Sequence, residues 1–164
     1  MRRRRVRVLP VRASTSVFRY DWSRRFVSER QLESSARLRA AGITLSGYCR
    51  GGMFPAPDAA GRAAARDDNR RVVDEALALG APCLVLVAGG LPKNVDGTPA
   101  SRDLAGAREM VRDGIAELLD YARPAGMPLA IEPLHPMYAA DRACINTLAQ
   151  ANDVCDEIAP EDDG

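Results

Sequence analysis

Lysine is all but missing from this chain: Lys93 is the only one, and the other basic residues are all arginine. No physical requirement removes lysine from every exposed face, so the bias reads as the drift of a GC-rich genome. Histidine is nearly absent too, His135 standing alone. No apolar run approaches the roughly 18 residues of a membrane span, which excludes an integral helical membrane protein. Cys49, Cys83, Cys144 and Cys155 form no C-x-x-C pair, so zinc-ribbon and thioredoxin readings lack support. Gly89-Gly90 precedes Lys93 without the G-x-x-x-x-G-K-[ST] spacing, and no G-x-G-x-x-G follows a strand. No serine lies in a G-x-S-x-G elbow. Nucleotide-binding and α/β-hydrolase classes fall away together.

What is present is a soluble globular composition of 164 residues, 46% apolar, enough for one domain with a single core. The net charge of +1 hides an asymmetry. Residues 1–30 carry ten arginines against Asp21 and Glu29, whereas residues 31–164 are mildly acidic. That leader has no amphipathic period and lacks the apolar stretch of a secretory signal. Three readings of it stand open: a mitochondrial-type presequence, a salt-sensitive arm for nucleic-acid phosphates, or a misassigned gene start. The third is favoured, because the leader lies where the architecture needs a first strand. Ten arginines cannot be buried without partners, so residues 1–30 should pack poorly. Free thiols, with Cys83 acting as a small hydrophobe in an apolar run, are those of a reduced protein, and a cytoplasmic location is expected.

From about Gln31 the chain alternates strand and helix. Ile43 to Tyr48 alternates like a strand, and Cys49-Arg50-Gly51-Gly52 reads as the turn that ends it. Cys83 to Val87 is a short continuous apolar run, typical of a parallel strand covered on both faces. Leu129 to Glu132 is a third strand, broken by Pro133. Helices are expected over 58–79, 101–123 and 148–158, from apolar residues at helical spacing. Gly80 and Gly126 stop the first two, a cap near Ser101 starts the second, and Thr147 with Gln150 makes a capping box for the third. The third should bury Leu148, Ala151, Cys155 and Ile158. Three βα units with outer helices give an α/β fold with a parallel sheet. Such units could build either a doubly wound sheet or a (β/α)8 barrel; a barrel typically takes about 250 residues, so this chain is too short to close one.

The sharpest chemical feature is Ile131-Glu132-Pro133-Leu134-His135-Pro136. A carboxylate at the tip of an apolar strand can be aimed at a metal or at a substrate proton. It can equally end a strand and meet solvent, with His135 a satisfied loop residue. Both readings stand on position alone.

Five segments in order carry a resemblance. They are Gly47 to Phe54, Asp67-Asp68-Asn69-Arg70-Arg71, Leu84 to Gly90, Ile131 to Pro136, and Asn146 to Gln150. With them the stretch from Gln31 to Ile158 resembles the sugar phosphate isomerase/epimerase family, the xylose isomerase-like TIM barrels. The resemblance implies a partial (β/α)8 TIM barrel over residues 31–164, about half of the whole. It implies a divalent ion (manganese, magnesium, cobalt or zinc) and a small sugar or sugar phosphate as substrate. Glu132 matches a metal ligand that also moves a proton at the carbon beside the carbonyl. His135, Arg50, Gly89 and Gly90 take positions near the substrate, Arg50 being a clamp for an anionic group or a structural arginine. Glu132, Arg50, Gly89-Gly90 and His135 should border one concavity at the C-terminal end of the sheet. The family's other ligands, an aspartate, a histidine and a second glutamate, come from later strands, which this chain lacks; it is expected to be truncated, and inactive or nearly so. A zinc endonuclease of the same barrel needs many histidines, and the single His135 argues against it. A third reading is a non-catalytic remnant or interaction module, self-associating through exposed sheet edges. No membrane partner is expected, and nucleic acid is disfavoured.

Overall fold

The computed structural model describes residues 29–158. The leader lies outside the described residues, apart from Glu29 and Arg30, which open the first helix. The order is α1 (Glu29–Ala40), β1 (Tyr48–Gly52), α2 (Ala59–Leu79), β2 (Leu84–Val87), α3 (Leu104–Ala122), β3 (Leu129–Glu132), a 3-10 turn (Pro136–Tyr138) and α4 (Leu148–Ile158). The three strands form one parallel sheet in the order β1-β2-β3. This is a partial α/β barrel sheet, open at both edges among the described residues.

The helices begin and end where their polar ends find partners. Asp58 caps α2, its Oδ1 accepting from the Gly61 N–H at 2.7 Å. Gly80 closes the same helix, its own N–H and that of Ala81 donating to Leu77 and Ala76 carbonyls. Asp103, rather than Ser101, caps α3; Ser101 Oγ accepts from the Asp103 N–H at 3.0 Å. The capping box of α4 is reciprocal, each of Thr147 and Gln150 accepting from the other's backbone N–H at 3.2 Å. Asp58→Ala is expected to cost about 1 kcal/mol, read as a lower urea midpoint. An unchanged midpoint would show that Gly61 finds its partner in water.

One face of the sheet carries the core. Leu84 and Leu86 of β2 are fully buried against Val72, Val73 and Ala76 of α2 and Val111, Ile115 and Leu118 of α3. The apolar stripe of α3, Leu104, Ala107, Val111, Ile115, Leu118 and Ala122, is buried except at Leu104, whereas α4 departs from expectation. It buries Ala151 and Val154, while Leu148 is exposed and Cys155 lies at the surface. The expected stripe steps from Ala151 to Cys155, whereas the buried face runs from Ala151 to Val154.

β1 is the larger correction. Residues 43–47 are unpaired, and the supposed turn 49–52 is the strand itself. Two glycines read as a turn because strands seldom use them. Here close approach requires them: a Cβ on Gly51 or Gly52 would run into the Leu86 side chain or the Val87 carbonyl. Gly52 also has φ +115°, a conformation that disfavours side chains. Asn69 of α2, 2% exposed, clamps it: the Gly52 N–H donates to Oδ1 at 2.6 Å, and Nδ2 donates to the Gly52 carbonyl at 2.7 Å. Helix α1 was not anticipated at all. No helix among the described residues is long and apolar enough to cross a membrane.

Candidate active site

Strand pairing decides which side chains share a face. Cys49 pairs with Val85 and Val85 with Ala130; Gly52 pairs with Val87 and Val87 with Glu132. Alternation therefore puts Cys49, Val85, Val87, Ala130 and Glu132 on the face turned away from α2 and α3. The pairing skips Arg50, a β-bulge that leaves Arg50 and Gly51 both towards the helices.

Arg50 is consequently held by α2. Its guanidinium lies 3.6 Å from Asp68 and 3.7 Å from Glu75, with a side chain only 7% exposed. Tyr48 donates to Glu75 at 3.0 Å, completing a buried polar cluster behind the sheet. The structure does not bring Arg50 to Glu132, and of the two roles open to it the geometry matches the structural one.

Glu132 ends β3 half-buried, and its Oε2 accepts from the Cys49 thiol at 3.4 Å. Partial desolvation foremost, then the hydrogen bond to Glu132 and its charge, push the thiol up to about 11. Cys49 is thus a neutral thiol at physiological pH, open to solvent on one side.

Gly89 and Gly90 follow β2 at the same end of the sheet. Gly89 bridges to Ala143, and its carbonyl accepts from the Cys144 N–H at 2.8 Å. Gly90 sits against the backbone of Ala140 and Asp141. Lys93 and Asp141 add an ion pair at 2.6 Å, so the loops after β2 and β3 are tied together. His135 is exposed, and its Nδ1 accepts from the Met137 N–H at 3.2 Å to cap the 3-10 turn. Leu134 is pinned on both sides, its N–H to Ile145 and its carbonyl to Asn146. Glu132, Gly89-Gly90 and His135 thus all leave strand tips at the C-terminal end of the sheet, where β/α barrels build their sites.

Among the described residues no three His, Cys, Asp or Glu side chains gather as a metal site. Sequence reasoning missed Cys49 as a partner of Glu132. Placing β1 at 48–52 would have found it, since alternation then puts residue 49 on the face of Glu132.

The profile of the xylose isomerase-like TIM barrel family matches residues 13–163. The chain is 61% identical to a solved protein of Sinorhizobium meliloti 1021, with a TM-score of 0.72, over 79% of this chain and 45% of that one. It is also similar to the 3-keto-D-glucoside 4-epimerase YcjR of E. coli: 23% identity, TM-score 0.61, 80% of this chain and 51% of that one. A D-psicose 3-epimerase solved in the presence of D-fructose gives 21% identity and a TM-score of 0.63, over 79% and 44% of the two chains. These last two speak for the fold alone. The chain spans about half the length of these solved proteins. No curated protein matches it in sequence. A profile match over nearly the whole chain, on a parallel sheet with outer helices, has one meaning: the chain belongs to the xylose isomerase-like TIM barrel family.

Proposed function

We propose that this chain supplies part of a sugar or sugar phosphate isomerase/epimerase, with Glu132 as the base that moves a proton at the carbon beside the substrate carbonyl. The observation that supports the reading is the place of Glu132. It is a carboxylate at the C-terminal tip of a parallel strand, on the sheet face opposite α2 and α3. Family membership supports the reaction class, and relatives of this fold include sugar epimerases. A carboxylate so placed can take the proton and return it, the negative charge passing meanwhile to the enediolate oxygens. Gly89-Gly90 and His135 would border the substrate, whereas Arg50 serves the fold.

A divalent ion does not fit the described residues by themselves. Glu132 is a single carboxylate, the His135 Nδ1 is engaged by its own turn, and no three possible ligands gather among the described residues. A magnesium complex is known for a family member from Mycobacterium smegmatis.

The test is hydrogen exchange. This chain, extended with the remaining strands of its S. meliloti relative, should incorporate solvent deuterium beside the carbonyl of a ketose such as D-fructose. The open edges of β1 and β3 favour a second reading, self-association of a non-catalytic module. Sedimentation of the present chain as a dimer, with no exchange in the extended one, would favour that reading instead.

A further inference from the structure

We propose that Cys49 is a positioning residue for Glu132: its thiol hydrogen holds Oε2 and leaves Oε1 for the open face of the sheet. The proposal rests on Glu132 being the working carboxylate, but the contact itself does not.

Two features of the fold build that contact. The bulge at Arg50 turns the arginine to the helix side and leaves Cys49 on the face of Glu132. Gly52, in the same row as Glu132, has no side chain, so nothing on β1 blocks a carboxylate leaning across β2. Sγ and Oε2 then meet at 3.4 Å, between residues 83 positions apart in sequence.

The chemistry agrees with this geometry. A thiol that stays protonated is a donor and not a nucleophile, and it can hold a carboxylate only from the donor side. Arg50, the next residue along β1, is held on the other face of the sheet by Asp68 and Glu75.

The experiment uses the full chain and iodoacetamide, with Cys49 followed by peptide mass spectrometry and the other three cysteines as references. Wild-type Cys49 should alkylate with a midpoint near the value of about 11. Glu132→Gln removes the charge and should lower that midpoint. Each unit of fall raises the thiolate fraction tenfold at pH 8, and the weaker nucleophile returns part of it. The net gain in rate is about threefold per unit. Glu132→Asp withdraws the carboxylate by one methylene and should move the profile the same way, which covers the case of a misfolded glutamine variant. Conversely, Cys49→Ala should speed labelling of Glu132 by a water-soluble carbodiimide, and Cys49→Ser should restore the wild-type rate. Identical Cys49 profiles in wild type and both Glu132 variants overturn the proposal, and so does Glu132 labelling that ignores Cys49→Ala. Absent deuterium exchange in the extended chain, with the thiol profile still dependent on Glu132, falls on the proposed function alone.

Discussion

Glu132→Gln in the extended chain should cut deuterium exchange beside the ketose carbonyl by about 10²- to 10⁴-fold, the usual contribution of a positioned base. Glutamine keeps the shape of the side chain and an oxygen for Cys49, but it cannot take the proton. Stability should hardly move, within about 0.5 kcal/mol, because Glu132 is half-buried on an edge strand and its one side-chain hydrogen bond is to a thiol. The natural control is Glu75, which is buried and paired with Arg50 and Tyr48. Losing a carboxylate there leaves a buried guanidinium short of a partner, so Glu75→Gln should show in the unfolding curve before it shows in turnover. Full exchange in Glu132→Gln would leave the family and the fold in place and remove Glu132 as the base.

Glu132 was legible in sequence because a lone carboxylate followed by proline interrupts an apolar strand, and that interruption is visible in four residues. β2 and β3 were legible for the same reason, their apolar runs being short, continuous and bounded. α3 was legible from its period, since Ala107, Val111, Ile115, Leu118 and Ala122 are all buried. β1 was not. Its side-chain signal is carried by Tyr48, Cys49 and Arg50, and the strand closes on two glycines that ordinarily mark a turn. What makes those glycines necessary is the approach of β2, which lies 35 residues away in the pairing of Gly52 with Val87 and leaves no local trace. The misplacement had consequences for the site. With the strand ended at Tyr48, Arg50 stood in a loop where a substrate clamp could be imagined, and Cys49 stood in no particular relation to Glu132. A one-residue bulge reverses both, sending Arg50 to the carboxylates of α2 and leaving Cys49 beside Glu132. α1 was hidden by how few apolar residues it has, Leu32, Ala36, Leu38 and Ala40, and by the arginine-rich stretch in front of it.

Gly52→Ala is expected to be the most damaging conservative substitution in the described chain. At φ +115° an alanine is strained by about 1–3 kcal/mol. Its Cβ also has nowhere to go, because the carbonyl of Val87 occupies the space and is backbone, so it cannot rotate away. Relief requires β1 to separate from β2, which breaks the end of the ladder and draws Gly52 off the Asn69 amide that holds both its polar groups. Overpacking of this kind costs a further 1–3 kcal/mol or so. Together, roughly 2–6 kcal/mol is a large part of the 5–15 kcal/mol that a domain usually has. Urea unfolding should register it as a much lower midpoint, or as a chain that no longer accumulates in soluble form. Gly97→Ala separates the two causes. Gly97 has φ +84° with nothing within 4 Å of an added Cβ, so it incurs the backbone strain without the collision. It should lose about 1 kcal/mol of stability, read as a smaller fall in the urea midpoint. Equal losses at the two positions would mean that β2 yields to the new methyl, and that the closeness of the two strands is not what demands glycine at the tip of β1.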